Sequence, residues 1–563
     1  MNLTLLNFNS LKRSLWRYPD LYTKLRKFKK ALTHSSIQAG IEQRPEFSQL
    51  NQILSNSKGQ HLINTNGKGP RVLCFSLRGA WTTHIAWETL IALGLRLRGA
   101  QVEFFTCGGA LPACGMEQIG KPPCISCYHY LLNFVQPFGF PIKVANGMIS
   151  KNKLQKVFQN IEATNWQNVY NYEYNGLNLG QIVLPMVRWY SRRGRLPEDK
   201  ETLKVYQMFL KSSVLITKLC QTLLSKNNYD VIFCINGEFF AEAIIHLLAK
   251  KRGIRVVTYE RGYHPDSLFF QHDNSACKYV VQRYWEQFAS VHLSIEESSR
   301  LDNYISKRYC GVKGIGGLIF WPKIEQDEVA IRNALGLDTE RPIAVLFTNT
   351  TFDTMSQNME VAFRDMFHWI KTTIDYFNIH PEWQLVIRVH PSEVRDVGRE
   401  SNDSVAEWIE ATFPSLPGNI KIVRPESELS SYSLMRMSRV GFVYTSLAGL
   451  EMALMDKPVI VAGKAHYRGK GFTDDPMSPE NYLKILENSL LTERTLGLEQ
   501  SELARRYAYL FFFRAMIPFH FLREPTRSEV ELNFSSLTEL MPGRNKALDI
   551  ICNGILDGKD FLL

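Results

Sequence analysis

The chain has 563 residues, of which 45% are hydrophobic and 21% charged, and this composition excludes disordered and fibrous classes of protein. Its length is too great for a single hydrophobic core and predicts two or three domains. The formal charge is +11, no apolar stretch is long enough to span a bilayer and no signal-peptide pattern is evident, so we expect a cytoplasmic protein.

The excess of positive charge lies mainly in one arm. Residues 1–30 contain eight Lys and Arg residues against one acidic residue, Asp20. Apolar side chains recur there at helical spacing and predict a basic amphipathic helix, namely Leu11, Leu15, Tyr18, Tyr22 and Leu25. Such a helix either lies on the anionic inner face of the cytoplasmic membrane or packs on the body of the protein with solvated charges. Beyond this arm no aromatic-interleaved basic patch occurs, so we expect no nucleic-acid partner.

The first domain is expected at residues 70–335, after the arm and a polar linker that together cover residues 1–69. Short apolar runs alternate with helical patterns in it, which is typical of βαβ units and a parallel sheet covered on both faces. The clearest strands are predicted at residues 72–77, 102–105, 231–235 and 255–259.

A second alternating series is expected at residues 336–500, and a helical tail at 501–563. The strands of this domain are predicted at residues 343–347, 384–389, 420–423, 440–444 and 459–461. The fold class is therefore α/β, with two doubly wound Rossmann-type domains between a helical N-terminal arm and a helical C-terminal tail. Two such domains place a ligand cleft at the carboxyl ends of their strands. An aromatic helix at residues 505–514 either packs in the protein or docks on lipid.

The strand at 384–389 leads into a loop whose side chains suit an anionic ligand. Arg388 and His390 can donate hydrogen bonds to phosphate oxygens, and Ser392 follows the proline that fixes the loop. The alternative is a capped strand end with a surface histidine.

A second candidate lies where the strand at 440–444 leads into a helix. Thr445, Ser446 and Gly449 are small residues at the predicted helix start, where backbone N–H groups are open to a phosphate. Glu451 in the first turn can accept hydrogen bonds from ribose hydroxyls. The same residues could instead form only an N-cap and a stabilised helix start.

Taken together, these motifs resemble the capsule polysaccharide biosynthesis family, which includes the β-Kdo transferases of Gram-negative capsules. The resemblance is close over residues 340–490 and is carried by the runs 388–392, 445–451, 457–459, 463–467 and 471–476. It implies a GT-B fold and donor-binding roles for five residues, namely Arg388, His390, Ser446, Gly449 and Glu451. Where the Kdo transferases carry a Gln-Pro pair, this chain has Arg424-Pro425-Glu426, so the resemblance does not name the transferred sugar.

The resemblance further implies a glycosyltransferase of surface or capsular polysaccharide assembly. Its donor would be a nucleotide-sugar, with a CMP-sugar favoured, and its acceptor a lipid-linked or growing glycan. No Asp-x-Asp metal motif is apparent, so we expect transfer without a metal cofactor. The alternatives are a transferase of nucleotide-activated polyol phosphate, as in teichoic acid synthesis, and a non-catalytic glycan-binding scaffold.

The first domain then supplies the acceptor side. Glu88 lies one helical turn after His84 and could orient it as a general base, or the two could form an interior hydrogen bond. Glu238 and Glu260 follow predicted strands, and either could be the carboxylate of the transfer reaction. Arg261 could instead pair with Glu260 and make that site structural.

Four of the ten cysteines lie close together in a loop rich in Gly and Pro. Cys107, Cys114, Cys124 and Cys127 could bind a structural zinc ion. Ordinary thiols and a redox pair are the alternatives.

Overall fold

The computed structural model describes residues 42–56, 68–117, 124–149, 151–264, 266–310, 326–395, 400–525 and 529–563. The predicted basic arm lies outside these residues. The helices are α1 (Pro45–Asn56), α2 (Thr82–Arg96), α3 (Cys124–Val135), α4 (Gln155–Glu162), α5 (Leu179–Ser191), α6 (Lys200–Lys226), α7 (Phe240–Lys250), α8 (Gln282–Phe288), α9 (Ile295–Tyr309), α10 (Glu328–Leu335), α11 (Met366–Ile379), α12 (Ser392–Arg395), α13 (Val405–Thr412), α14 (Ser431–Met437), α15 (Ala448–Ala453), α16 (Pro479–Leu491), α17 (Leu498–Tyr509) and α18 (Lys546–Asp557).

The strands are short, and most belong to one of two sheets. They are β1 (Arg71–Phe75), β2 (Gln101–Thr106), β3 (Ile142–Val144), β4 (Glu173–Tyr174), β5 (Leu177–Asn178), β6 (Val231–Ile235), β7 (Arg255–Arg261), β8 (Ser267–His272), β9 (Ile343–Phe347), β10 (Gln384–Arg388), β11 (Ile420–Val423), β12 (Val440–Val443), β13 (Val459–Val461), β14 (Ile517–Pro518), β15 (Leu522–Arg523) and β16 (Glu531–Leu532).

The first sheet has the order β14-β8-β7-β6-β1-β2-β3. Strands β7, β6, β1, β2 and β3 are parallel, whereas β8 runs antiparallel to β7 and β14 antiparallel to β8. The central strands are continuous buried apolar runs because helices cover both faces. Helices α2, α3 and α18 lie on one face and α5, α6 and α7 on the other, so the predicted doubly wound domain is confirmed.

The second sheet is entirely parallel, with the order β11-β10-β9-β12-β13. Helices α11, α13 and α16 cover one face, and α9, α14, α15 and α17 cover the other. The chain leaves β9 toward β10 on one side and later returns to β12 on the other. The carboxyl end of β9 is therefore the topological switch point of this sheet, which is where open parallel sheets bind their ligands. The two Rossmann-type domains form the predicted GT-B-like fold.

Packing divides the chain differently from the predicted domain boundaries. Helices α8 and α9, which the sequence placed in the first domain, lie in the core of the second, where Trp285 contacts Tyr507 with ring centroids 5.4 Å apart. By packing, the second domain thus begins near Ala276, and the predicted boundary at residue 335 falls inside it.

The tail joins the two domains. Helix α17 and the π-helical turn Leu510–Arg514 that continues it pack in the second core, with Phe511 and Phe512 buried. Of the two alternatives for this aromatic helix, the structure therefore supports packing in the protein. The chain then returns to the first domain, where β14 joins the sheet and α18 packs beneath it, so the tail is not purely helical as predicted.

Helix α1 lies within the segment predicted as a polar linker. Three apolar side chains at a spacing of three residues, Phe47, Leu50 and Ile53, are buried against the first core. Gln49 accepts a hydrogen bond from the backbone of Leu532 at 3.0 Å, which ties the helix to the tail. The segment was predicted as a linker because most of its residues are polar, and composition alone does not show the three apolar positions.

Candidate functional site

The switch point of the second sheet gathers polar loops from three strands. Thr348 Oγ1, just after β9, accepts a hydrogen bond from the backbone N–H of His390 at 3.0 Å. Asn349 Oδ1 accepts one from the backbone N–H of Thr445 at 3.2 Å. The loops after β9, β10 and β12 are thereby fixed to one another. The sequence analysis missed Thr348 and Asn349, although the run of four small polar residues directly after a buried strand was a usable signal.

His390 lies at the centre of this junction. Burial, reinforced by the charge of Arg388, lowers the pKa of His390 to about 4, so its ring is neutral at neutral pH. The backbone N–H of Ser392 donates to His390 Nδ1 at 3.1 Å. Because Nδ1 accepts, the proton of the neutral ring is on Nε2, which makes Nε2 a hydrogen-bond donor. Ser392 therefore contributes through its backbone, which sets this tautomer.

The side chain of Arg388 is bonded to backbone carbonyls in the structure, and its role in phosphate binding stays a prediction. Its guanidinium is buried and donates to the backbone carbonyls of Arg424 at 2.8 Å and Ser427 at 3.1 Å. Burial lowers the pKa of Arg388 to about 10, which still leaves it charged at neutral pH. The side chain thus fixes the loop after β11. Its partners come from a segment that the strand pattern alone could not place.

The start of α15 has the predicted small residues, and their contacts are structural. Ser446 Oγ accepts a hydrogen bond from the backbone N–H of Ala448 at 3.2 Å, which closes a turn just before the helix, whose N-cap is Leu447. A Cβ atom at Gly449 would lie 2.2 Å from the hydroxyl oxygen of Tyr467. Gly449 is therefore required by packing against Tyr467, whose hydroxyl donates to the backbone carbonyl of Ser446. Thr445 and Ser446 remain partly exposed at the junction.

Glu451 is held in a buried ion pair instead of facing the switch point with an open carboxylate. Its Oε1 accepts from Arg308 Nη2 at 2.7 Å, from Arg308 Nε at 3.0 Å and from the Tyr432 hydroxyl at 3.0 Å. These contacts tie α9 and α14 to α15. The structure thus differs from the prediction that Glu451 binds a ribose, because α9 brings a cation that the local sequence does not reveal.

Glu260 lies at the carboxyl end of β7 in the first domain, as predicted. Asn236 Nδ2 donates to its carboxylate at 2.8 Å, and the backbone N–H of Arg261 donates at 3.0 Å. Burial raises the pKa of Glu260, and the negative charge of Asp353 from the second domain raises it further. The two acidic groups therefore lie near each other across the domain boundary. Asn236 was not predicted, although it stands in the loop directly after β6.

The guanidinium of Arg261 does not pair with Glu260. It pairs with Glu524 of the tail, which also accepts a hydrogen bond from Thr83 Oγ1 at 2.6 Å. The carboxylate of Glu260 is thus available to chemistry other than an ion pair with its neighbour.

Glu238 faces a lysine that joins the two domains. Lys278 Nζ lies 3.8 Å from Glu238 Oε2 and donates to the backbone carbonyls of Thr354 and Gln357 at 2.7 Å each. Glu238 belongs to the loop after β6, and the two carbonyls belong to the loop after β9. Lys278, which the sequence analysis missed, therefore links the loop after β6 of the first sheet to the loop after β9 of the second.

A second contact between the domains lies at the end of α5. The backbone carbonyl of Arg192 accepts from the backbone N–H of Asn402 at 2.8 Å. Arg195 Nη2 pairs with Asp403 Oδ1 at 2.5 Å, and the Arg195 backbone N–H donates to Oδ2 of the same carboxylate at 2.9 Å. The domains are therefore held together at a second point, in the segment after β10.

His84 and Glu88 share a partner instead of bonding directly in the predicted way. The hydroxyl of Tyr259, on β7, lies 2.9 Å from Glu88 Oε1 and 3.2 Å from His84 Nδ1. Ser76 Oγ donates to the other carboxylate oxygen of Glu88. Burial raises the pKa of Glu88 to about 7. The sequence analysis missed Tyr259 because the strand pattern does not show which helix lies within hydrogen-bond distance of its hydroxyl.

The four clustered cysteines do not form a metal site in the structure. Cys107, Cys124 and Cys127 lie near one another, and burial is the main cause that raises the pKa of Cys127 to about 12. Cys114 instead lies near Arg78. Within the described residues, which include all four thiols, no three His, Cys, Asp or Glu side chains could hold a metal ion. None of the four forms a disulfide.

Comparison with known proteins finds a family that part of the chain resembles. A sequence model of the family described as capsule polysaccharide biosynthesis protein matches residues 276–491, which confirms the resemblance expected from the motifs. None of the curated proteins compared with the chain matches it. None of the helices in the described part of the chain combines the length and apolar character that a bilayer crossing requires.

Two solved structures illustrate the structural matches. The β-Kdo 2,4 transferase KpsC of Thermosulfurimonas dismutans is similar at 15% identity and a TM-score of 0.34, over 56% of this chain and 87% of that one. The UDP-GlcNAc 2-epimerase of Neisseria meningitidis is similar at 11% identity and a TM-score of 0.25, over 78% of this chain and 95% of that one.

Proposed function

Because residues 276–491 match the model of the capsule polysaccharide biosynthesis family, we propose that this chain is a glycosyltransferase of capsular polysaccharide assembly. The second domain binds a nucleotide-sugar donor at the switch point after β9, with a CMP-sugar favoured. The first domain binds the acceptor, a lipid-linked or growing glycan. The observation that carries the proposal is the position of Lys278, which lies 3.8 Å from Glu238 in the loop after β6 and also bonds the loop after β9, so that the carboxyl ends of strands from the two sheets lie close together.

The donor site needs groups that stabilise the negative charge of the departing nucleotide. His390 offers a neutral Nε2–H donor whose orientation is fixed through Nδ1, so it needs no rearrangement when charge develops on the leaving group. Thr445 and Ser446 add partly exposed polar groups at the same junction. Transfer without a metal cofactor remains our expectation, because the sequence has no apparent Asp-x-Asp motif.

On the acceptor side, two groups are suited to take a proton from a hydroxyl. Glu260 is held by Asn236 with its pKa raised by burial, and His84 is held through Tyr259. Glu238 is the weaker candidate because its carboxylate lies opposite the charge of Lys278. A sugar at the switch point would therefore react with an acceptor hydroxyl presented from the first domain.

Binding and release of nucleotide test this proposal directly. A thermal-shift panel of CMP, CDP, UDP and GDP should show one nucleotide that raises Tm, and the matching nucleotide-sugar should release that nucleotide when a glycan acceptor is present. His390→Ala should lower release at least roughly 100-fold, since a charge-stabilising donor contributes about 3 kcal/mol. His380→Ala, at a partly exposed histidine of the same domain, is the matched control.

Three results would contradict the proposal or redirect it. Release from a CDP-polyol alone would indicate a polyol-phosphate transferase. Glycan binding without nucleotide release from any donor would indicate a scaffold. Normal release by His390→Ala would remove His390 from the donor site.

The proposal extends to the membrane through the basic arm. A lipid-linked acceptor lies at the inner face of the cytoplasmic membrane, and residues 1–30 carry a net positive charge that an anionic surface attracts. Deleting residues 1–30 should reduce sedimentation with anionic vesicles and raise KM for a lipid-linked acceptor, with little change for a soluble acceptor. Equal vesicle binding by the truncated and complete chains would exclude the arm as the anchor.

A further inference from the structure

The contacts of Tyr259 join a buried carboxyl to a partly exposed imidazole. Its hydroxyl lies 2.9 Å from Glu88 Oε1 and 3.2 Å from His84 Nδ1, so one hydroxyl hydrogen serves two acceptor positions. A hydroxyl has one hydrogen to donate and must use its lone pairs for any other bond. The protonation state of one neighbour therefore constrains the hydrogen position at the other.

We propose that Glu88, acting through Tyr259, sets the tautomer of His84 and thereby switches His84 on as the general base of transfer. Ionised Glu88 can only accept, so the Tyr259 hydroxyl donates to it and its oxygen accepts from His84 Nδ1–H. The lone pair of the neutral ring is then on Nε2. Protonated Glu88 allows the reverse order, in which Tyr259 donates to Nδ1 and the ring proton is on Nε2.

This inference rests on the proposed function and assigns the acceptor side of that reaction. The acceptor oxygen forms a bond to the anomeric carbon of the donor sugar while the bond from that carbon to the nucleotide phosphate oxygen breaks. The hydroxyl proton passes to His84 Nε2, and the bonding electron pair leaves with the nucleotide. Nδ1–H keeps its bond to Tyr259 while the ring becomes an imidazolium. Glu88 and Tyr259 are positioning residues, since neither touches the acceptor.

The surroundings of Glu88 place its titration in the physiological range. Burial is the main cause that raises its pKa to about 7, and hydrogen bonds from Ser76 and Tyr259 oppose that rise. Glu242 on α7 raises the pKa further and Arg78 lowers it, while these two residues pair with each other. Two thiols also lie near Glu88, Cys74 on β1 and Cys234 on β6, and burial keeps both protonated by raising the pKa of each.

The surroundings of His84 are largely aromatic. The rings of Trp81, Trp87 and Tyr259 lie within 6 Å of its imidazole, measured between centroids at 5.3, 5.1 and 5.8 Å. Arg261 lies over Trp87 and pairs with Glu524, which reaches the neighbouring Thr83. The charged groups near His84 on the side of the tail, Arg261 and Glu524, thus pair with each other. Glu88, in contrast, is connected to His84 through the Tyr259 hydroxyl.

The first arm of the test needs no substrate. The full chain labelled with ¹³Cδ2-histidine reports each imidazole tautomer by NMR, and His84→Gln identifies the His84 signal among the 13 histidines. We expect this signal to change tautomer with a midpoint near pH 7 in the parent chain. The midpoint should disappear in Glu88→Gln and in Tyr259→Phe. It should move to higher pH in Ser76→Ala, which removes a hydrogen bond to the ionised carboxyl.

The second arm measures transfer against pH. In the parent chain kcat/KM should rise through about pH 7, and in Glu88→Gln this limb should vanish while KM for the donor stays unchanged. A His84 signal that follows pH identically in the parent, Glu88→Gln and Tyr259→Phe chains would overturn the inference. So would a tautomer change without any effect on the kinetic limb. Absence of transfer by every chain, with the NMR result as expected, would instead count against the proposed function.

Discussion

Removing the Glu451 carboxylate should destabilise the second domain, independently of any effect on donor binding. Arg308 and Glu451 have side-chain exposures of only 8% and 10% and are joined by two hydrogen bonds at 2.7 and 3.0 Å. Glu451→Ala leaves a buried guanidinium without its anion, which costs about 3–5 kcal/mol. For a domain of about 200 residues this corresponds to a fall in Tm of roughly 6–20 °C.

A double-mutant cycle separates the loss of the pair from the loss of either side chain. Arg308→Leu and Glu451→Leu should each lower Tm strongly, whereas the double variant should be less destabilised than the sum of the two, because no uncompensated charge remains. Glu328→Ala is the matched control, since it breaks an exposed Arg436–Glu328 pair in the same domain, where less than about 1 kcal/mol is expected. Calorimetry of the full chain resolves the transition.

One outcome would refute this reasoning. If Glu451→Ala unfolds at the Tm of the parent chain and yet fails to bind nucleotide, the carboxylate serves the donor and not the fold. The ion pair with Arg308 would then be a minor contact of α9.

Three further predictions concern other parts of the chain. The free energy of unfolding of Glu88→Gln should rise relative to that of the parent, by up to roughly 3 kcal/mol, as pH increases from about 5 to about 8. The reason is that the parent carboxyl has a pKa near 4.5 in the unfolded chain and near 7 in the folded one, so its ionisation destabilises the parent. If the free energies of urea unfolding of the two chains depend on pH equally, this prediction is contradicted. Gly449→Ala should cost about 1–3 kcal/mol through its clash with Tyr467, and Tyr467→Phe in the same chain should offset part of that loss in thermal unfolding. Lys278→Met should speed hydrogen exchange in the loop of residues 350–358, which contains the two carbonyls that Lys278 bonds, and leave β9 unchanged; unchanged loop exchange would show that Lys278 does not fix this loop.

The strands were predictable wherever burial on both faces makes them continuous apolar runs. This pattern identified β1, β6 and β9 nearly to the residue. Strand β8 was missed because it returns antiparallel with polar residues at its end, Gln271 and His272, and resembles a loop. Helix α9 was predicted in the first domain but packs in the core of the second, for a different reason. Its amphipathic stripe shows that one face is buried but not which of two cores buries it.

The candidate site was predictable in position and much less so in side-chain direction. That His390 and Ser446 lie at one edge of the second sheet follows from the parallel topology alone. The groups that hold the buried side chains of Arg388 and Glu451 come from elsewhere in the chain. Arg308 is 143 residues from Glu451, and the carbonyl of Arg424 is 36 residues beyond Arg388. No local pattern encodes such pairings, because they depend on which helix covers which loop.

The family match and the hydrophobic core of the second domain begin at nearly the same residue. The match begins at residue 276, and Ala276 is among the first residues buried in that core. The shared unit is therefore the domain that we propose binds the nucleotide, together with Lys278, which meets the loop after β9. The first domain, which we propose binds the acceptor, lies outside the match. A donor site can be reused with many acceptors if the groups that activate the acceptor belong to the other domain, and His84, Tyr259 and Glu88 belong to it.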